Sequence, residues 1–298
     1  MLSLTSIPKD FITKKNIRFP HGPNDEEISI RTFIFDDNSP IEKPTLVMLH
    51  GFSTATVLYY PMFAPLLEHY RIVGLDQLGF GASSRVELPE EMVKDREAME
   101  EYQNTWIEKW VEQMTSAGEL PDKFMLTGHS YGAYLSANFS IRNPDRIKAL
   151  YLNSAIGHEA VPDDYDNMPI RMSSDNQEPD STYKLDFVKG SWAKGRTAHD
   201  LAKILPRSGI SYVVQQCIEH DYACYPEEHY KRAHNYLYTI YADNVGSCNQ
   251  KAIHASFKYG CFALSPLTAP DKLGNPDLPF PIAYAFGDRD WTGSDGAE

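Results

Sequence analysis

Short apolar runs recur through the first half of the chain, each closed by glycine or by a polar turn. PTLVMLHGF (44–52), YRIVGLDQLGFG (70–81), KFMLTGHS (123–130) and IKALYLNSAIG (147–157) are continuous rather than alternating. That is the pattern of strands buried on both faces of a parallel sheet. Upstream, KKNIRFP and EEISIRTFIFDD read as two edge strands, the second alternating polar and apolar residues as a half-exposed strand does. Between the runs lie the helix-forming stretches YYPMFAPLLEH and EYQNTWIEKWVEQMTSAG, and YGAYLSANFSIRN follows the third run. Strand and helix therefore alternate as far as residue 157, which predicts an α/β protein, a mostly parallel sheet flanked by helices.

The pattern then changes. VPDDYDNMP and SSDNQEPDS are polar and loop-like, an aromatic-rich helical stretch covers about 197–260, and a buried strand returns only at PFPIAYAFGD (279–288). The expected organisation is the N-terminal part of a core over 1–157, an inserted helical cap over 158–268, and an incomplete return to the core over 269–298.

Composition narrows the function. Apolar residues make up 42% of 298, enough for a sizeable core, and the formal charge is −13 with no block of Lys and Arg. Phosphate-backbone binding relies on clustered positive charge, so no nucleic-acid partner is expected. Cys217, Cys224, Cys248 and Cys261 show neither CxxC spacing nor a disulfide framework. MLSLTSIPKDFITKKN lacks the apolar core of a signal peptide, and no run of about 18 apolar residues is present. The expected location is the cytoplasm.

The candidate chemistry centres on TGHSYGAYLS (127–136), where Ser130 lies within Gly-x-Ser-x-Gly. Strand before and helix after make this the strand–turn–helix setting of a nucleophile elbow, and the helix N-terminus favours developing negative charge. A serine hydroxyl needs a base, an acid to orient that base, and donors for the oxyanion. The donors expected are the backbone N–H groups of Phe52, after the His50-Gly51 pair, and Tyr131, after the serine. His50 and His129 read as turn-holding residues rather than bases. GFGAS (79–83) lacks the third glycine of a dinucleotide loop, where Ser84 stands. Cys224, His229 and His234 are five apart, which spreads them around a helix and argues against zinc. His158 and Asp163 make a short H-x4-D in a loop, and Lys194, Arg196, Lys203 and Arg207 read as solvated charges. No metal or organic cofactor is expected.

An acid belongs at the end of a sheet strand. Asn153 and Ser154, after the fourth run, cannot serve, whereas GDRDW offers Asp288 and Asp290. The base should follow the acid in the order Ser, acid, His, yet WTGSDGAE contains no histidine.

LVMLHGF, LDQLGFGASSR, IEKW, LTGHSYGAYLSANFSIRNPDRI, FALSPL and GDRDW followed by GA together resemble the α/β-hydrolase fold family, and within it the lysophospholipase and lysophosphatidic-acid acyltransferase branch. The resemblance spans most of 44–298. It implies acyl-ester chemistry on phospholipids or lysophospholipids, an acyl-CoA donor where the reaction is transfer, and peripheral contact with a membrane or lipid droplet. It also implies that Asp290, immediately before Trp291, is the acid. Members of the branch continue to a Gly-His segment, so this chain is expected to be a fragment lacking its catalytic histidine and, at this length, nearly inactive. The rival expectation is a non-catalytic lipid-binding or lipase-regulating protein, because the branch includes a member without the serine that activates a separate lipase.

Overall fold

The fold is described from a computed structural model over residues 2–165, 190–197, 200, 202, 204–221, 225–242, 248–287 and 290. Seven strands form one sheet: β1 (Ile12–His21), β2 (Glu26–Phe35), β3 (Thr45–Leu49), β4 (Arg71–Leu75), β5 (Phe124–His129), β6 (Ile147–Asn153) and β7 (Ile282–Ala285). Their order is β1-β2-β4-β3-β5-β6-β7. β1 and β2 pair antiparallel, as do β2 and β4; every other neighbouring pair is parallel. From β3 the chain steps outward to β4, then crosses back to β5 on the other side of β3. The connections leaving the C-terminal ends of β3 and β5 therefore diverge, and a crevice opens there, where ligands bind in open α/β sheets.

The continuous apolar runs become strands because both sheet faces are covered. Along β3, Val47 and Leu49 enter one core and Leu46 and Met48 the other. The first core is built on α3 (Arg96–Ser116) and α4 (Tyr131–Arg142), with Trp106, Trp110 and Phe139 fully buried. The second is built on α1 (Tyr60–Leu67) and includes Phe35, Phe63 and Ile72. A short helix, α2 (Glu90–Lys94), precedes α3.

The expectation for EEISIRTFIFDD needs correction. β2 is not an edge strand: it lies between β1 and β4, and Thr32–Phe35 pair with Leu75–Ile72. The alternation reflects only its first half. In TFIF all four residues are buried, because β4 covers that half laterally while both cores close over its faces.

Three described helices lie between β6 and β7: α5 (Arg207–Asp221), α6 (Tyr230–Ala242) and α7 (Cys248–Ser256). Ile210, Val214 and Ile218 recur every fourth residue on α5, and with Leu237 of α6 they join Phe33, Met48 and Phe63 in the second core. Phe257, just after α7, packs edge-on against Tyr131 at 6.1 Å and Tyr134 at 4.7 Å. Among the described residues no helix is long and apolar enough to cross a membrane.

Candidate active site

Ser130 sits between the end of β5 and the start of α4, with φ 53° and ψ −118°. An L-residue adopts that conformation only under strain, which the surroundings must impose. They do. The Ser130 N–H donates to the Asn153 carbonyl at 2.9 Å, and its carbonyl accepts from Ala133 N at 3.0 Å. The flanking glycines are required by close backbone approach. A Cβ on Gly128 would lie 2.3 Å from the Gly132 oxygen, and one on Gly132 would lie 2.2 Å from the His50 oxygen. The elbow is thus pressed against the loop that follows β3. Ser130→Gly is expected to raise stability: it relieves ~1–3 kcal/mol of strain against ~0.5–1 kcal/mol of added chain entropy. Thermal unfolding checks this, and a lower melting temperature than that of Ser130→Ala would contradict it.

The loop after β3 is held by the side chains of His50, Thr54, Tyr59 and Gln77, the last donating its amide to the His50 carbonyl. His50 is buried, and its Nε2 accepts from Gln77 N at 2.9 Å while Nδ1 lies 2.8 Å from the Gly51 carbonyl. Burial lowers its pKa, against an opposing pull from Asp76. With both nitrogens engaged, neutral His50 has no lone pair left for Ser130. Thr54 Oγ1 also donates to the Gly51 carbonyl, at 2.8 Å. Tyr59 Oη lies 3.1 Å from Gly51 N and 2.8 Å from His129 Nδ1. His129 extends from β5 beside this tyrosine; burial lowers its pKa and Asp290 opposes that shift. Phe52 packs edge-on against Phe80 at 5.3 Å and Tyr131 at 6.2 Å. Tyr131 N–H opens α4, where helical amides have no partner within the helix, and burial raises its phenol pKa.

Asp290 follows β7, its N–H donating to the Gly287 carbonyl at 3.1 Å. β7 pairs with β6, whose Asn153 receives the Ser130 amide. The Asp290 loop therefore stands two strand spacings from Ser130, roughly 10 Å. Asn153 Nδ2 donates to Thr127 Oγ1 at 3.0 Å. A cavity of about 250 Å³ lies at these strand ends, lined in part by Met48, Tyr59, Phe63, Thr127, His129 and Asn153. Asp288 and Lys203 lie outside the described residues, as does Cys224.

Two residues escaped the sequence reading. One is Tyr59. The other is Asp76, a buried carboxylate whose oxygens accept from Thr56 N and Ala82 N, each at 2.9 Å. A Cβ on Gly81 would lie 2.2 Å from Asp76 Oδ2, so that glycine of GFGAS makes room for a carboxylate. His229 and His234 bond to Tyr60 and Ser211. His254 packs at a tilt against Trp192, ring centroids 4.1 Å apart, and burial lowers its pKa to about 4. His158 lies against Phe286 at 5.3 Å. Lys194, Arg196 and Arg207 are exposed. Among the described residues no histidine is hydrogen-bonded to Ser130, and no three His, Cys, Asp or Glu side chains are placed to hold a metal.

A sequence model of the alpha/beta hydrolase fold matches residues 44–201, more than half of the chain. The chain belongs to that family. Its relatives lie in the branch that the motifs resemble. An Arabidopsis thaliana 1-acylglycerol-3-phosphate O-acyltransferase is 26% identical over 94% of this chain and 63% of its own length. The human (lyso)-N-acylphosphatidylethanolamine lipase is 35% identical over 45% of this chain and 36% of its own. This α/β hydrolase thus spans less than two thirds of the length of these curated relatives. Among solved structures, a bacterial membrane phospholipase A superposes with TM-score 0.56 at 20% identity, covering 96% of this chain and 73% of the other. A Rhodococcus 2-hydroxy-6-oxo-6-phenylhexa-2,4-dienoate hydrolase gives 0.55 at 19%, over 93% and 82%. At such identities the likeness is one of fold.

Proposed function

We propose that this α/β hydrolase is a serine-dependent lipid acyl-ester hydrolase or acyltransferase acting on phospholipids or lysophospholipids. The observation that carries the reading is the strained Ser130 backbone at the sheet's switch point, pressed against the loop after β3. Such strain persists where it serves a site. Ser130 Oγ attacks the ester carbonyl carbon and its proton passes to a histidine oriented by Asp290. The tetrahedral oxyanion is held by Phe52 and Tyr131 N–H, and the leaving alkoxide takes the proton back. Water or a lysolipid hydroxyl then cleaves the acyl-serine; where the reaction is transfer, acyl-CoA supplies the acyl group and its thiolate leaves in place of the alkoxide, taking the same proton. The relatives' names, an acyltransferase and a lipase, support the substrate class.

In this scheme residues 158–268 cap the site, a role supported by Phe257 against Tyr131 and by α5 and α6 in the second core. The cap also supports peripheral lipid contact, at a membrane or a droplet. Ile204, Leu205, Tyr212 and Val213 are 71%, 40%, 66% and 44% exposed, with Arg207 among them. A lipid-regulating protein with an unused elbow is the second reading, because the exposed apolar residues of the cap would meet lipid whether or not Ser130 reacts. One experiment separates them: a fluorophosphonate probe added to the full-length protein with phospholipid vesicles. The enzyme reading predicts vesicle binding and labelled Ser130. Binding without labelling favours the regulator, and no binding contradicts lipid contact.

A further inference from the structure

Tyr59 stands where two segments distant in sequence meet. Gly51, 3.1 Å from its hydroxyl, precedes Phe52; His129, whose Nδ1 is 2.8 Å away, precedes Ser130. We infer that Tyr59 is a positioning residue, its hydroxyl fastening the oxyanion loop to the nucleophile elbow by accepting the Gly51 N–H and donating to His129 Nδ1. The inference rests on the roles given above to Ser130 and Phe52.

The geometry leaves the loop little choice. A Cβ on Gly51 would lie 2.8 Å from His129 Nδ1 and 3.4 Å from Ser130 Cβ, so loop and elbow touch and position 51 has no room for a side chain of its own. Tyr59 reaches in from the side, its ring 5.7 Å from that of His129. It holds the N–H of the peptide before Gly51, while Thr54 Oγ1 and His50 Nδ1 hold the carbonyl after it, each at 2.8 Å. In a planar trans peptide the N–H points opposite the carbonyl, so fixing the Gly51 carbonyl aims the Phe52 N–H. An amide can only donate, so the phenol oxygen accepts from Gly51; we assign its own proton to Nδ1. His129 is then the Nε2–H tautomer. Burial keeps both partners neutral, pushing the phenol up to about 12 and the imidazole down.

The test is Tyr59→Phe in the full-length protein, which keeps the ring and removes the hydroxyl. Removing an oxyanion donor outright costs ~10²–10³ in kcat, so a misaimed one is expected to cost about 10- to 100-fold. KM should stay within about twofold, since the interaction acts in the transition state. Nitrogen-15 spectra of wild-type His129 should show Nε2 protonated and Nδ1 bare, and Tyr59→Phe should mix the tautomers. Tyr60→Phe is the control, since its hydroxyl lies 2.5 Å from His229 Nδ1; it should leave kcat and the His129 spectrum unchanged. Unchanged kcat in Tyr59→Phe, or a wild-type His129 protonated at Nδ1, overturns the inference. If the wild type shows no ester turnover, the serine-hydrolase reading fails instead, and the spectra alone decide on Tyr59. They also decide if Tyr59→Phe does not fold.

Discussion

Ser130→Ala in the full-length protein is expected to cut ester turnover by about 10⁶, the loss that follows removal of the nucleophile from a serine triad. The residual rate would come from oxyanion stabilisation and substrate binding, which need no serine. Stability should barely move. Alanine keeps the Cβ, so it accepts the same strained φ 53° and retains the backbone bonds to Asn153 and Ala133. Steady-state kinetics with a lysophospholipid, paired with thermal unfolding, check both halves. A mutant with wild-type turnover removes Ser130 from the mechanism; a mutant that unfolds assigns the residue a structural role.

Asp290→Asn should lower kcat by ~10⁴, as loss of the orienting carboxylate does in a serine triad. Asparagine keeps the shape and an oxygen for the Gly287 N–H, 3.4 Å from Oδ2, so the turn after β7 should survive. Asp76→Asn is the informative contrast. Both Asp76 oxygens accept buried or half-buried backbone amides, and an NH₂ group facing either one leaves that donor unsatisfied. The expected result there is lost stability, about 1–3 kcal/mol. Comparing kcat and melting temperature across the two variants separates the orienting acid from the structural one. A rate loss at Asp76 with none at Asp290 would reverse the assignment.

Much of the sheet was legible because its strands are buried on both faces. LVML and IVGL are apolar without a break for that reason, and they fall within β3 and β4. The elbow was legible because Gly128 and Gly132 are dictated by contacts under 2.5 Å, which no other residue satisfies. What escaped depends on partners far along the chain. TFIF in β2 is buried by β4, about forty residues later, and nothing in the local alternation announces it. Tyr59 lies in an apolar helical stretch like any core tyrosine, while its partner His129 is 70 residues away. Asp76 is likewise defined by an amide 20 residues upstream and another six downstream.

If Ser130 is the nucleophile, an acyl group passes through its Oγ during turnover. The direct measurement is acid quenching of the full-length protein during turnover of a lysophospholipid, followed by peptide mass spectrometry. The peptide containing Ser130 is expected to be heavier by one acyl group, with no such adduct in Ser130→Ala. Sustained turnover with that peptide unmodified, or with the acyl group on another residue, would contradict it.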